Sequence, residues 1–278
     1  MMRAGILVPV RDDPYTCLAR AAELGFMSGQ LSIWNMALYQ TQTAAQIRDA
    51  CRELDFTITA VWCGWSGPVD WSYPGMYDTL GLVPAWLRAR RVDELLQGAS
   101  LAHEIGVDCV VTHLGYIPDN PLDSNRIGIV HAIRTIAREI GLHRQRFLFE
   151  TGEELPLTLV QLIHDVGMDN LGVNFDPANL LINGRANPSD ALDLLAPYVG
   201  GVHAKDAVYP TGVNPKGKEM PLGQGQANFP VLLRKLSKAG YQGDLTIERE
   251  STGGDEQTKD ILAGKAYLEK IIMDMDQS

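Results

Sequence analysis

Residues 172–180 read GVNFDPANL: an apolar run suited to a buried strand stops at an aspartate followed by a proline. Proline cannot donate to a ladder, so the strand runs out at Asp176. Asp-Pro alone opens a turn, which is one reading of the pair. The other is that Asp176, on the tip of a core strand, points at something that needs a carboxylate. What ends the other strands decides between them.

Eight segments read as strands: 4–10, 29–34, 56–64, 108–115, 146–152, 171–177, 200–206 and 244–250. Several are near-continuous apolar runs, as parallel strands buried on both faces are. Amphipathic stretches at 14–25, 43–54, 88–105, 124–140, 155–166, 188–196, 229–239 and 257–272 predict the helices between them. Gly25, Gly106, Gly141, Gly167 and Gly240 stand where helix caps belong. Eight βα units in 278 residues predict one domain, an α/β fold of the (β/α)8 TIM barrel type. An open doubly wound sheet is the alternative, set back because no G-x-G-x-x-G follows the first strand. Two long connections, 64–86 and 207–229, follow the third and seventh strands. Both fall on the C-terminal face, where barrel enzymes keep their sites.

Bulk properties narrow the function. A net charge of −10 without any basic cluster argues against a nucleic-acid partner. No apolar run reaches the length of a membrane span, and the N-terminus lacks the pattern of a signal peptide. Cysteines 17, 51, 63 and 109 form no C-x-x-C pair and read as reduced thiols of a cytoplasmic protein.

The strand ends carry the chemistry. The fifth strand ends in Glu150, the sixth in Asp176, the seventh carries His203 and the eighth Glu248. Neighbouring strands about 4.8 Å apart place such side chains around a common point. Three carboxylates crowded together repel unless protons or a cation neutralise them. A divalent metal resolves this, and a carboxylate-rich set with one imidazole suits Mn²⁺, Mg²⁺ or Co²⁺ better than Zn²⁺. Each residue has a plainer reading: a turn for Asp176, a core histidine for His203, helix-start charge for Glu150, a solvated edge for Glu248. Their shared position at the same end of four successive strands weighs against all four at once.

Other residues face the same mouth. His113 ends the fourth strand, as a substrate-binding or a structural side chain. Alternation points Lys205 the same way as His203, with Asp206 behind it. Trp34, Trp62 and Trp65 form either an apolar wall for a bound ligand or ordinary packing.

The segments FETGEE, NFDPANL, VHAKD, PLGQG and TIERE, in this order and spacing, resemble the xylose-isomerase-like TIM barrel superfamily, the sugar phosphate isomerase/epimerase group. The resemblance is strong over 146–250 and holds in outline elsewhere. It implies one divalent metal ion, Mn²⁺ first and Mg²⁺, Co²⁺ or Zn²⁺ next, held by Glu150, Asp176, His203 and Glu248. It also implies that Glu150 and Glu248 act as the acid/base pair on opposite faces of a bound sugar. Lys205 and Asp206 line the pocket in relatives, and a homo-oligomer is expected. The chain departs from the ketose 3-epimerases and apurinic endonucleases at Asn179, where they carry histidine. That tells against a multi-zinc nuclease and leaves Asn179 as a substrate contact. Tyr209 stands where the epimerases place a substrate-binding arginine. Asp255 and Glu256, after the eighth strand, would repel a phosphate, so the expected substrate is an unphosphorylated sugar, keto-sugar or cyclitol. The expected activity is an isomerase or epimerase working through an enediolate. The alternatives are a lyase or dehydratase acting on a keto-sugar or inosose, and a non-catalytic accessory barrel.

Overall fold

The computed structural model describes residues 2–11, 13–213 and 215–277. Strand β1 (Arg3–Val10) leads to Asp13, whose carboxylate accepts the N–H of Thr16 at 3.0 Å and starts α1 (Pro14–Glu23), with proline at the first helical position. The pattern then repeats: β2 (Ser28–Ile33), α2 (Thr41–Leu54), β3 (Thr57–Cys63), a short α3 (Met76–Thr79), and the long α4 (Ala85–Ile105). After these come β4 (Cys109–Thr112), α5 (Ser124–Gly141), β5 (Arg146–Glu150), α6 (Pro156–Val166), β6 (Leu171–Phe175), α7 (Pro177–Ile182), α8 (Pro188–Leu195) and β7 (Val199–Ala204). The chain closes with a β8 (Asp206–Val208) and β9 (Lys218–Met220) hairpin, α9 (Phe229–Lys238), β10 (Asp244–Ile247) and α10 (Gly254–Asp276).

Eight strands close in the order β1-β10-β7-β6-β5-β4-β3-β2, every pair parallel, which excludes the open doubly wound sheet. The expected barrel is therefore the observed one. Helices pack outside it through a large shared core that includes Ile33, Val61, Phe147 and Leu245. The barrel interior is a different environment. One wall is apolar, with Ala60, Trp62, Val111 and Leu148 from β3, β4 and β5. Facing it, β2, β6, β7 and β10 turn Gln30, Asn174, His203 and Thr246 inward, all buried. Side chains alternate across a strand, so this inward set continues to the strand tips.

Two expectations need correction. Helix α5 runs on through Gly141, and the positive φ that ends the segment falls on Arg144 (60°) instead. The two long connections are also less bare than their sequences suggest: 64–86 carries α3, and 207–229 folds back through the β8–β9 hairpin. The first is tied down from below. Arg91 on α4 donates to the carbonyls of Ser66, Pro68, Thr79 and Gly81 at 2.6–3.2 Å. Glu94, one turn on, accepts from the Ser66 N–H at 2.9 Å and from its hydroxyl.

Candidate metal centre

Asp176 caps α7. Its Oδ1 accepts the N–H of Asn179 at 2.9 Å, while its Oδ2 is buried with no hydrogen-bond partner. The Thr151 hydroxyl, just past β5, braces it, bonding both the N–H and the carbonyl of Asp176 at 2.8 Å. Asp-Pro thus opens a turn and also leaves one oxygen pointing inward, so the two sequence readings are both true. Glu150 ends β5, His203 lies in β7, and Glu248 follows β10, where its N–H bonds the Ala204 carbonyl at 3.3 Å. One donor atom from each of these four residues lies within 4.8 Å of all the others.

One ring proton cannot serve this many oxygens. His203 Nδ1 is 3.1 Å from Glu150 Oε1 and hydrogen-bonds it. Glu248 Oε2 is also 3.1 Å away and Asp176 Oδ2 3.9 Å away, yet neither forms a hydrogen bond. Two buried carboxylate oxygens left without hydrogen bonds suit a cation, which attracts several lone pairs at once. The donor set, three carboxylates and one imidazole, fits a hard divalent ion.

Charge in the cluster follows from its neighbours. Burial pushes Asp176 well above the usual carboxylate range, and Lys205 offsets only part of that. Burial acts on Glu150 and Glu248 too, but there the cations win: His203 and His113 hold Glu150 well below its ordinary value, and Lys205 and His203 lower Glu248. His203 and Lys205 are raised despite burial, by Glu150 and Glu248 for the first and by Glu248 and Glu250 for the second. Protons on Asp176, His203 and Lys205 are one way to balance the carboxylates; a divalent ion is the other.

The side chains around Glu150 aim it. The Asn179 amide donates to Oε1 at 3.0 Å, the Trp62 indole N–H donates to Oε2, and His113 Nε2 lies 3.5 Å from Oε1. Trp34, Trp62 and Trp65 stack with centroids 5.0–5.9 Å apart, and Trp71 meets the His113 ring edge-on at 5.2 Å. The structure therefore brings His113, Asn179, Trp34 and Trp62 to the centre, with Asn179 and Trp62 contacting Glu150 itself. Lys205 also arrives, 3.3 Å from Glu248 and 2.5 Å from Glu250. Asp206 does not. Its carboxylate turns away to accept four backbone N–H groups, from Ala207, Gly223, Gly225 and Ala227 at 2.9–3.0 Å. It organises the PLGQGQ turn, so the expectation of Asp206 in the pocket is corrected by strand alternation. Tyr209 likewise points off, bonding the Gly184 carbonyl at 2.9 Å.

The sequence reading passed over Gln30, Glu153, Glu154 and Glu250. Gln30 could have been found as the polar residue on the inward face of β2. Glu153 and Glu154 hid in what looked like helix-start charge, yet both are buried beside His113. Burial, then the Glu153 charge, push Glu154 from 4.5 to about 7. The folded protein therefore holds this proton more tightly than the unfolded chain does. Stability is lost as pH rises from about 4.5 to about 7 and is flat above, by roughly 3 kcal/mol in all. Glu154→Gln removes the ionisation, so its melting temperature should exceed wild type at pH 8 and match it near pH 4.5. Equal differences at both pH values would contradict the assignment.

A family model described as xylose isomerase-like TIM barrel matches residues 18–271. The chain belongs to that family. It is 29% identical over 181 residues to the uncharacterized protein MJ1311 of Methanocaldococcus jannaschii, a match spanning 60% of this chain and 59% of that protein, under two thirds of its length. Among solved structures, a xylose isomerase domain protein from Planctomyces limnophilus superposes with TM-score 0.93 and 29% identity over 100% of this chain and 99% of that one. A D-tagatose 3-epimerase-like protein gives TM-score 0.76 at 19% identity, covering 99% of each chain. The probable 3-DHS dehydratase AsbF from Bacillus anthracis gives 0.65 at 18%, covering 95% of this chain and 98% of that one. The last two likenesses show the shared fold alone.

Proposed function

We propose that this protein is a divalent-metal-dependent sugar isomerase or epimerase, moving a proton on a carbon beside a carbonyl. The observation that carries the reading is the convergence of two glutamates, the buried Glu150 and the partly buried Glu248, on Asp176 and His203. Glu150, Asp176, His203 and Glu248 would hold the cation, which would supply Lewis acidity toward the sugar carbonyl and offset negative charge developing on its oxygen. Glu150, aimed by Trp62 and Asn179 and kept ionised by His203, takes or returns the proton. Glu248, three strands round the barrel, serves as its counterpart. Return to the opposite face gives an epimer, and return to the neighbouring carbon gives an isomer. Trp34 and Trp62 offer ring faces to the C–H side of a sugar, and His113 a hydrogen bond. Mn²⁺ is the proposed ion, on the oxygen-rich donor set.

One observation favours a second reading, a dehydratase or lyase. Loss of a hydroxyl needs a proton donor at the leaving oxygen, and the buried Lys205 ammonium lies 3.3 Å from Glu248. The fold shared with a probable dehydratase supports the same possibility. In either case the substrate is a small unphosphorylated carbohydrate, because Asp255 and Glu256 occupy the first turn of α10. Among the described residues, no helix is long and apolar enough to cross a membrane. We place the protein in the cytoplasm on its four free thiols, and as a homo-oligomer on exposed apolar side chains such as Trp86.

Titration with Mn²⁺ tests the site directly. Wild type should bind one ion per chain, and Asp176→Asn should weaken binding beyond the roughly 10–100-fold typical of losing an outer partner. Unchanged affinity in Asp176→Asn would refute this centre.

A further inference from the structure

His203 has a second nitrogen, and its surroundings are built. Nε2 lies 3.0 Å from Gln30 Oε1, on β2 at the far side of the barrel interior. The Gln30 amide nitrogen donates in turn to Asn174 Oδ1 at 2.9 Å, on β6. All three side chains are buried. Gly201, paired with Asn174 in the β6–β7 register, makes the room. A Cβ there would sit 2.3 Å from Asn174 Oδ1 and 3.3 Å from Gln30 Nε2.

The chemistry of this chain is directional. An imidazole that gives the Nδ1 lone pair to a cation carries its proton on Nε2, and that N–H needs an acceptor. A glutamine can present either end, and its NH₂ end would set donor against donor. In this structure the Asn174 oxygen takes the Gln30 NH₂, so the Gln30 oxygen faces His203. A restraint of this kind is needed because Gln30 also lines a cavity of about 560 Å³ at the N-terminal mouth of the barrel, with Arg3, Thr57, Gly200 and Asp244. That cavity has polar groups on its wall and is roomy enough for water. The buried Ser28 and Thr246 hydroxyls and the Asn174 NH₂ lack protein partners. Without Asn174, the same water would compete for the Gln30 amide.

We propose that Gln30, locked by Asn174 across the barrel, is a positioning residue that presents His203 to the metal through Nδ1. The inference rests on the proposed function only in that His203 holds a cation; no sugar substrate enters it. The test uses the full chain with histidine labelled in ¹⁵N, Mg²⁺ for NMR and Mn²⁺ for affinity. In loaded wild type, the His203 ring proton should sit on Nε2 as a slowly exchanging signal. Gln30→Glu keeps an acceptor and should keep that signal. Gln30→Met, of similar length but without the acceptor, should lose it and bind Mn²⁺ about 10–100-fold more weakly. Wild-type affinity in Gln30→Met overturns the proposal. So does a ring proton on Nδ1 in loaded wild type, a result that stands even if Gln30→Met fails to fold. Wild type that binds no divalent ion overturns the metal reading itself, and this inference with it, which separates the two failures.

Discussion

Glu150→Gln and Glu248→Gln are each expected to abolish proton exchange on the sugar while leaving the barrel folded. A glutamine matches glutamate in shape but cannot accept a proton, and a positioned general base contributes about 10²–10⁴-fold to rate. The site gives each carboxylate reason to be ionised, since His203 lies 3.1 Å from both. Both residues also stand among the proposed metal ligands, so metal content must be measured alongside exchange. A variant that still carries metal yet shows no exchange isolates the base from the ligand. Circular dichroism should show the same helical content as wild type. If either variant keeps full exchange with metal bound, the acid/base assignment is wrong.

The second large effect lies outside the centre. Arg91 is fully buried, its guanidinium shared among four backbone carbonyls of the 64–86 connection and stacked 5.2 Å over Trp65. Arg91→Met fills the stem but leaves those carbonyls without donors. An unmet buried acceptor costs about 1–3 kcal/mol, and relaxation of the loop toward water limits the sum, so a loss of about 3–5 kcal/mol is expected. The damage should be local. Limited proteolysis should cut within 64–86, and KM should rise more than kcat falls, because this connection carries Trp65 and Trp71 rather than the proposed bases. A melting temperature equal to wild type, with no new cleavage, would show that Arg91 does not hold the loop.

What could be read in advance followed simple periodicities. Parallel strands buried on both faces leave continuous apolar runs, so the eight βα units stood out, and with them the tips bearing Glu150, Asp176, His203 and Glu248. Alternation placed Lys205 with His203 and would have turned Asp206 away, had it been preferred to the H-x-K-D resemblance. The misses share a cause. Arg91 drew no notice within the 88–105 stretch, because the partners that bury it come from a loop. Gln30 sat inside an apolar-looking strand, and its partners on β6 and β7 are more than a hundred residues away. Asn179 was expected at the site as a substrate contact, but its hydrogen bond to Glu150 was not foreseen. Contacts of this kind are set by barrel closure, which no local pattern encodes.

The most direct test of the central claim is solvent deuterium exchange. Metal-loaded protein would be incubated in D₂O with free ketoses, keto-sugars and inososes, using Mg²⁺ so that products can be followed by NMR. The account predicts deuterium on a carbon beside the carbonyl, lost when a chelator is added and restored by metal. The labelled carbon then separates epimerase from isomerase, and loss of water marks a dehydratase. Exchange that persists undiminished after the metal is removed would contradict the account.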